Sequence, residues 1–392
     1  MSEARVCVQA FKVRTPSGDC YWTVLDHELR VVPAADQFLR NIRFGQDRAE
    51  STTESYARSI VLFLRWCELV GRDWRTAAAH LGAFMVWLRH APASPTGDWV
   101  APGPGAKPVR GPRRINRVLI AVRGLMVFAV GAGVVPPPAI SQIYEIADTR
   151  DLPPEASGSD SGLQYRLKAR HRVQEPEAPV DRASDEEAVA LLKECRSARD
   201  FFLILLKARS GLRRSQLLGL HREDMHFLLN SKALGCDFPG PHVHVVRRQN
   251  INGAWSKSRI SHVVPVDRLV VQAHDQYVFE RRALLGDDLS DFVFVNLFRE
   301  PTGSPMRPDA VNALTTALSK RAGLSRVIKP HMLRHCFASN VADAGGELDV
   351  IQALLGQRSP ASAKPYLHPS RQRLRDAVDR VGSPRNAVEG TR

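Results

Sequence analysis

The apolar positions of this chain change period several times, and the changes mark its elements. Residues 6–13 and 20–25 alternate around the turn Pro16-Ser17-Gly18-Asp19 and predict a short β-hairpin. From Pro33 to about Asp148 the period becomes helical. Residues 34–42 predict a short first helix. Ser51-Thr52-Thr53-Glu54 reads as a capping box opening a second. That helix places Tyr56, Ile60, Phe63, Leu64 and Cys67 on one face and ends at Gly71. A third helix is predicted over 77–90, then a proline- and glycine-rich loop over 91–111. The next helix turns Ile115, Leu119, Val122 and Met126 inward.

Residues 151–179 contain PPEASGSDSG and EPEAP and predict a polar linker. Ser184-Asp185-Glu186-Glu187 is a second capping box and opens a new domain. Residues 201–206 predict a buried helix. Residues 243–248 and 260–266 predict β segments joined by 249–259. The apolar run 292–298 reads as strand-like, and 307–322 as a helix. No internal repeat is visible.

The stretch 329–369 reads as helix, turn, helix, turn and an isolated tyrosine. His331 and Arg334 are three apart and share a helix face. Leu333, Phe337 and Val341 face a core, and Gly345-Gly346 closes the helix. Leu348, Ile351, Leu354 and Leu355 form the next stripe, ended by Gly356. Ser359-Pro360 reads as an N-cap with proline at the first helical position, and Tyr366 follows Pro365. A phenol is a poor nucleophile at neutral pH. Nearby guanidinium groups lower its pKa and stabilise a pentavalent phosphorane, so this grouping points to phosphodiester chemistry. The same pattern also fits a structural helix pair with a surface tyrosine.

A wider pattern separates the two. His331-x-x-Arg334-His335, Leu354-Leu355-Gly356 and Tyr366-Leu367-His368 together resemble the signature of the tyrosine recombinase (phage integrase) family. Gly211-Leu212-Arg213-Arg214-Ser215-Gln216-Leu217-Leu218 resembles the family's first arginine box. Ser256-Lys257-Ser258, followed by Val263-Val264-Pro265-Val266, resembles its lysine hairpin. The resemblance implies a mainly α fold with a small β-sheet, in which an α-helical core-binding domain and a mixed α/β catalytic domain close as a C-shaped DNA clamp. It implies catalytic roles for Arg213, Lys257, His331, Arg334, Gln357 and Tyr366. The arginines would clamp the scissile phosphate, and His331 would bond the same phosphate or assist proton transfer. Lys257 would protonate the leaving 5′ oxygen, and Tyr366 would form a 3′-phosphotyrosine. The ester stores the bond energy, so religation needs no ATP, metal or other cofactor, in keeping with the absence of a GxxxxGK[ST] loop.

The chain departs from the family pattern at two site positions. Gln357 stands where the family has histidine or tryptophan. Its amide can donate a hydrogen bond but cannot carry a proton. Gln216 stands where a glutamate is common, a position expected to orient Arg213. Pro365 pushes Lys364 out of helical geometry. His331 and His335 have the i, i+4 spacing of zinc ligands, but the HExxH glutamate is absent (Met332) and no third ligand is evident. A buried, hydrogen-bonded His335 is the expectation.

Charge and composition extend this picture. Lys+Arg 55 against Asp+Glu 41 leaves +14, an excess suited to a polyanion. Lys107, Arg110, Arg113, Arg114 and Arg117 cluster ahead of an apolar helix, resembling the DNA-facing last helix of the family's core-binding domain; a solvated basic face is the alternative. The six cysteines are scattered without a CxxC pair, which argues against a structural zinc site and for a reducing compartment. No signal peptide or membrane span is visible, so a cytoplasmic location is expected.

The expected organisation is a β-hairpin extension (1–32), a helical DNA-binding domain (33–150), a linker (151–179) and a catalytic domain (180–392). An amphipathic tail helix with Leu374, Ala377, Val378 and Val381 would dock on a neighbouring protomer. The function implied is site-specific recombination by an integrase or transposase of a mobile element. The rival readings are a type IB topoisomerase-like DNA-relaxing enzyme and a catalytically weakened DNA-binding protein. The expected partners are double-stranded DNA recombination sites, three further copies in a DNA-bound homotetramer, and an accessory directionality protein; no membrane partner is expected.

Overall fold

The computed structural model describes residues 8–91, 105–146, 167–176, 180–254 and 261–357. The chain divides into two compact units, Met1–Glu177 and Ala178–Arg392.

The first unit opens with an antiparallel hairpin, β1 (Gln9–Arg14) and β2 (Cys20–Leu25), in register from Gln9↔Leu25 to Arg14↔Cys20. The hairpin is built into the core. Val24 is fully buried, and Tyr21 Oη and Thr23 Oγ1 donate to the buried Asp36 carboxylate at 3.0 and 2.8 Å. Asp36 lies on α1 (Pro33–Arg40), which runs into a π-turn over Asn41–Gly45. The second helix, α2 (Glu50–Leu69), starts earlier than the capping box at Ser51 predicts, and no side chain caps it. The reason is tertiary: Trp22 Nε1 donates to Glu50 Oε1 and the Trp22 amide to Thr53 Oγ1, so β2 holds the first turn. Ile60, Phe63, Leu64 and Cys67 are buried as their spacing requires.

A 3₁₀ turn (Ala77–His80) leads into α3 (Leu81–His90). Phe63, Trp66, Phe84 and Trp87 stack through centroid distances of 5.3–6.2 Å. Pro112 opens α4 (Pro112–Gly131), whose Ile115, Leu119, Val122 and Met126 are all buried. After α5 (Ala139–Ile143), β3 (Tyr144–Ile146) pairs antiparallel with β4 (Leu167–Ala169). Residues 167–176, within the linker expected over 151–179, lie in this unit. Asn116 on α4 both donates to the Val173 carbonyl (2.8 Å) and accepts from its amide (2.9 Å). That exchange satisfies a buried amide and pins the returning strand.

The second unit packs helices around α7. Its elements are α6 (Asp185–Lys193), α7 (Ala198–Ser210), α8 (Arg214–Leu217), β5 (Met225–His226), β6 (His242–Val245), β7 (His262–Pro265), α9 (Arg268–Leu285), α10 (Asp309–Arg321), α11 (Pro330–Asp343) and α12 (Leu348–Leu355). The capping box at Ser184 forms as predicted: Ser184 Oγ accepts from Glu187 N, and Glu187 Oε2 accepts from Ser184 N. Phe202, Leu203, Ile204 and Leu206 on α7 are fully buried, and Phe202 stacks on Tyr277 and Phe294. The three strands form one antiparallel sheet in the order β5-β6-β7.

In the run 292–298, Phe292 to Val295 and Leu297 are buried and Phe298 is exposed; among the described residues the run makes isolated bridges, His221↔Phe292 and Val295↔Pro305. Two of its carbonyls are taken by side chains of α9, while Phe294 O and Asn296 O accept from the Met306 and Gly303 amides. Tyr277 Oη donates to Val293 O at 2.7 Å, and Arg281 Nη1 donates to Phe292 O and Val293 O at 2.7 and 2.9 Å.

Candidate active site

Two glycine turns and one buried arginine build the site. Helix α7 ends at Gly211, which takes a left-handed φ of 62°. A Cβ at Gly211 would sit 2.5 Å from Phe337 Cδ1 and 3.0 Å from Leu355 Cδ2, so both the backbone angle and the packing demand glycine. Leu212 then enters the core, and Arg213 takes the extended N-cap position of α8. Gln216 Oε1 accepts from the Arg213 amide at 2.8 Å. Glutamine thus supplies, with a neutral carbonyl, the cap that a glutamate would make in a capping box. Its contact is to the Arg213 backbone, while its buried Nε2 has no partner among the described residues.

The second turn closes α12, where Gly356 is left-handed at φ 57°. A Cβ on Gly356 would run into the His262 ring of β7. Gln357 follows, its amide bonded to Gln352 O at 3.0 Å. The Gln357 Oε1 is buried without a hydrogen-bond partner among the described residues.

Arg334 joins the two turns. It is 6% exposed on α11. Its Nη1 donates to Gly211 O at 2.7 Å and its Nη2 to Leu355 O at 2.9 Å. The planar fork can satisfy two carbonyls from separate segments at once, which an ammonium on a single point could not do as rigidly.

Sequence reasoning missed Lys207. It lies on α7, 1% exposed, and its Nζ donates to Leu212 O. Burial first, and then the charges of Arg334 and Arg213, pushes its pKa well below the ordinary lysine range. The missed signal was a lysine at i+4 from Leu203 and three before Ser210, on the inward stripe of an otherwise apolar helix.

His331 and His335 lie one turn apart on α11, edge to face with centroids 5.7 Å apart. His331 reaches solvent, yet packing around its ring lowers its pKa; Asp181 opposes this, and Lys329 and Lys207 add to it. His335 is pushed down to about 4, first by burial and then by His331 and Arg334. Both imidazoles are therefore mainly neutral near pH 7; His331 can accept a proton, whereas His335 is a weak base. Among the described residues no third ligand joins this pair as a metal cluster. Lys257 and Tyr366 lie outside the described residues, as do Ser359-Pro360 and the tail over 372–381.

The expected DNA-contacting arginines occupy different environments in the first unit. Arg110 donates from Nη1 to Leu88 O at 3.0 Å and to Ala91 O, so it braces the end of α3. Arg113 is 88% exposed, with Nε 3.5 Å from Glu175. Arg114 is half-buried, and burial followed by the charges of Arg117 and Arg58 lowers its pKa. Lys107 and Arg117 are exposed.

The cysteine spacing argued against a structural zinc site, yet the fold brings one cysteine beside three histidines. Cys236 lies with His226, His242 and His244, their ligand atoms all within 4.8 Å of one another. Chain spacing hid this group because strand pairing assembles it.

Comparison with known proteins agrees with the fold and motifs. Residues 182–373 match the phage integrase family. Tyrosine recombinase XerD of Corynebacterium glutamicum is 26% identical over 344 residues, covering 87% of this chain and 95% of the relative. Transposase A from transposon Tn554 of Staphylococcus aureus is 22% identical over 363 residues, covering 92% and 93%. Among solved structures, the XerH site-specific recombinase in its post-cleavage complex with palindromic difH substrate superposes with a TM-score of 0.53. It is 18% identical, over 88% of this chain and 84% of that one. The Tn1549 transposon integrase in complex with a circular intermediate DNA gives 0.53 at 15% identity, over 89% and 99%. With its two glycine turns tied by Arg334, the second unit carries a phage integrase, or tyrosine recombinase, family domain over residues 182–373.

Proposed function

We propose that this protein is a site-specific DNA recombinase that cuts and rejoins double-stranded DNA through a 3′-phosphotyrosyl intermediate, as integrase or transposase of a mobile element. One observation carries the site assignment: the Arg334 guanidinium spans Gly211 O and Leu355 O, and so holds the Arg213 turn and the Gln357 turn in one frame. Preorganised donors of this kind stabilise charge where it develops, without reorganisation at the moment of reaction.

In this reading Arg213 and Arg334 clamp the non-bridging oxygens of the scissile phosphate. Neutral His331 accepts the Tyr366 proton, or bonds the phosphate, as the phenolate oxygen attacks phosphorus. The P–O5′ bond breaks, and Lys257 supplies the proton to the departing oxygen. Religation reverses these steps with a 5′ hydroxyl as nucleophile, so no external energy source is needed. Gln357 completes the cradle as a neutral donor. Arg113, Arg114 and Arg117 add phosphate contacts from the first unit.

Assembly as a homotetramer on paired sites, with the 372–381 segment docking on a neighbouring protomer, belongs to the same reading. So does action in the cytoplasm; among the described residues no helix is long and apolar enough to cross a membrane. The test is a half-site suicide substrate made from DNA flanking the element. Wild type should form a covalent adduct. Tyr366→Phe should form none while binding the same DNA nearly as well, because one hydroxyl adds little to a clamp dominated by phosphate contacts. An adduct that survives Tyr366→Phe would move the nucleophile elsewhere.

A further inference from the structure

The sheet of the second unit has two unlike faces. Val243, Val245 and Val264 are buried against the core. His242 and His244, two residues apart on β6, share the opposite face. His226 on β5 is the direct Cα partner of His242, so its side chain falls on that face too. Cys236 arrives from the connection between β5 and β6, just after Gly235 turns the chain at φ 74°. Its Sγ lies 3.3 Å from His242 Nε2 and 3.5 Å from His244 Nε2, and the two Nε2 atoms are 3.1 Å apart. No disulfide occupies Cys236.

Protons alone satisfy this group poorly. His242 Nδ1 lies 2.7 Å from Gly240 O, a carbonyl that can only accept. The Nδ1 atom therefore carries the hydrogen, and neutral His242 turns an Nε2 lone pair into the cluster. This ring is fully buried, with Phe238 packed on it at 4.8 Å. The His226 Nδ1 is buried without a hydrogen-bond partner among the described residues. One cation would satisfy all four groups together. Metal–nitrogen distances of about 2.0–2.1 Å and a metal–sulfur distance of about 2.3 Å place tetrahedral ligand atoms roughly 3.3–3.6 Å apart. The sulfur–nitrogen separations of 3.3 and 3.5 Å fall within that range and the nitrogen–nitrogen separation of 3.1 Å lies just below it, with all four ligand atoms within 4.8 Å of one another.

We propose that His226, Cys236, His242 and His244 bind one zinc ion in a closed, four-coordinate structural site. One thiolate and three imidazoles suit zinc by softness and geometry, and four protein ligands leave no open position for catalysis. Binding replaces the Cys236 thiol hydrogen with a sulfur–zinc bond and releases that proton to solvent. The ion ties the 227–241 connection to β5 and β6, and so braces the sheet whose next connection, between β6 and β7, contains Lys257.

The full chain, purified from zinc-supplemented medium without a histidine tag, should carry one zinc per chain by metal mass spectrometry. Chelation should lower its melting temperature by about 5 °C or more, and added zinc should restore it. Exchange with cobalt should give the visible absorption of a tetrahedral ion and a thiolate charge-transfer band. Cys236→Ser should remove that band, and His242→Ala with His244→Ala should abolish stoichiometric metal. If those variants do not fold, the wild-type cobalt spectrum and chelator response decide alone. A wild type that holds no zinc and neither binds cobalt nor gains stability from zinc would overturn the proposal. So would stoichiometric metal retained by a folded Cys236→Ser, His244→Ala double variant.

Discussion

Arg334 donates from Nη1 to the carbonyl of Gly211 at 2.7 Å, across 123 residues of chain. A residue assigned to phosphate binding therefore also carries tertiary structure. Arg334→Ala would strand the Gly211 and Leu355 carbonyls in a buried site. Each such loss costs about 1–3 kcal/mol, so about 2–6 kcal/mol of the second unit's stability should go, read by urea unfolding. Arg334→Lys keeps the charge but cannot span both carbonyls. It should lose less stability than alanine, yet still fall at least tenfold in single-turnover cleavage. Equal stability of Arg334→Ala and wild type would remove the bracing role.

Gly211→Ala should be more damaging than its size suggests. The left-handed φ costs a non-glycine residue about 1–2 kcal/mol, and the new methyl meets Phe337. Relief of that contact would move Phe337 or the turn that feeds Arg213. The expected outcome is a destabilised chain whose cleavage rate, measured at a temperature where it remains folded, is still reduced. A folded variant with the wild-type rate would show that the turn tolerates a side chain.

The half-buried His335 should make stability fall in mild acid. Its folded pKa of about 4 lies below the ordinary value of 6.5, so between those limits the unfolded chain binds more protons. Stability from this group is complete above about pH 6.5 and is lost as pH falls toward 4. The groups acting on His335 are His331, Arg334 and Lys207, opposed by Asp181. The loss is on the order of 2–3 kcal/mol at most. His335→Gln should flatten the pH 4–6.5 part of a melting-temperature profile relative to wild type. An unchanged profile would assign the acid sensitivity to other groups.

How much of this was legible in sequence depended on whether a feature is local. Helical periodicity placed α2, α4, α7 and α11, and the Gly-Leu-Arg and Leu-Leu-Gly turns marked the two glycines whose positive φ values the backbone needs. Features set by packing were not legible. The box at Ser51 failed because Trp22, on another element, already holds Glu50 and Thr53. Lys207 looked like one more charge of a basic chain. His226 and His242 are sixteen residues apart, yet meet as strand partners. Only the register of β5 on β6 reveals that, and register is a property of the pair rather than of either stretch.

The basic residues near α4 should separate by salt dependence. Arg113, Arg114 and Arg117 should each flatten the log-log salt slope of DNA binding by about one when changed to alanine. Arg114 is the strongest candidate, because like charges from Arg117 and Arg58 crowd it and a phosphate would relieve them. Arg110→Ala should instead cost about 1.5–3 kcal/mol of stability, as its charge-assisted bonds to Leu88 and Ala91 are lost, and should leave the slope unchanged. Wild-type slopes in all three of the other variants would make the cluster a solvated face.

Gln357 decides whether the family's chemistry survives in this chain. It follows Gly356, whose close approach to the His262 ring fixes the turn, and its Oε1 is buried without a partner among the described residues. That oxygen can only accept, so a bond to a phosphate oxygen would come from Nε2 of the same amide. The site already holds positive charge in Arg213 and Arg334 and a proton acceptor in His331. What remains to be supplied at this position is a neutral donor, which an amide can be and an acid need not be. The enzyme should therefore be active with glutamine. Gln357→Ala should remove a charge-assisted bond worth about 1.5–3 kcal/mol, slowing single-turnover cleavage of a nicked site on the order of 10–100-fold. Gln357→His should keep activity, since a ring nitrogen can reach a similar place. Equal rates for Gln357→Ala and wild type would make Gln357 a spectator. An inactive wild type rescued by Gln357→His would mean that the chain binds DNA without cutting it.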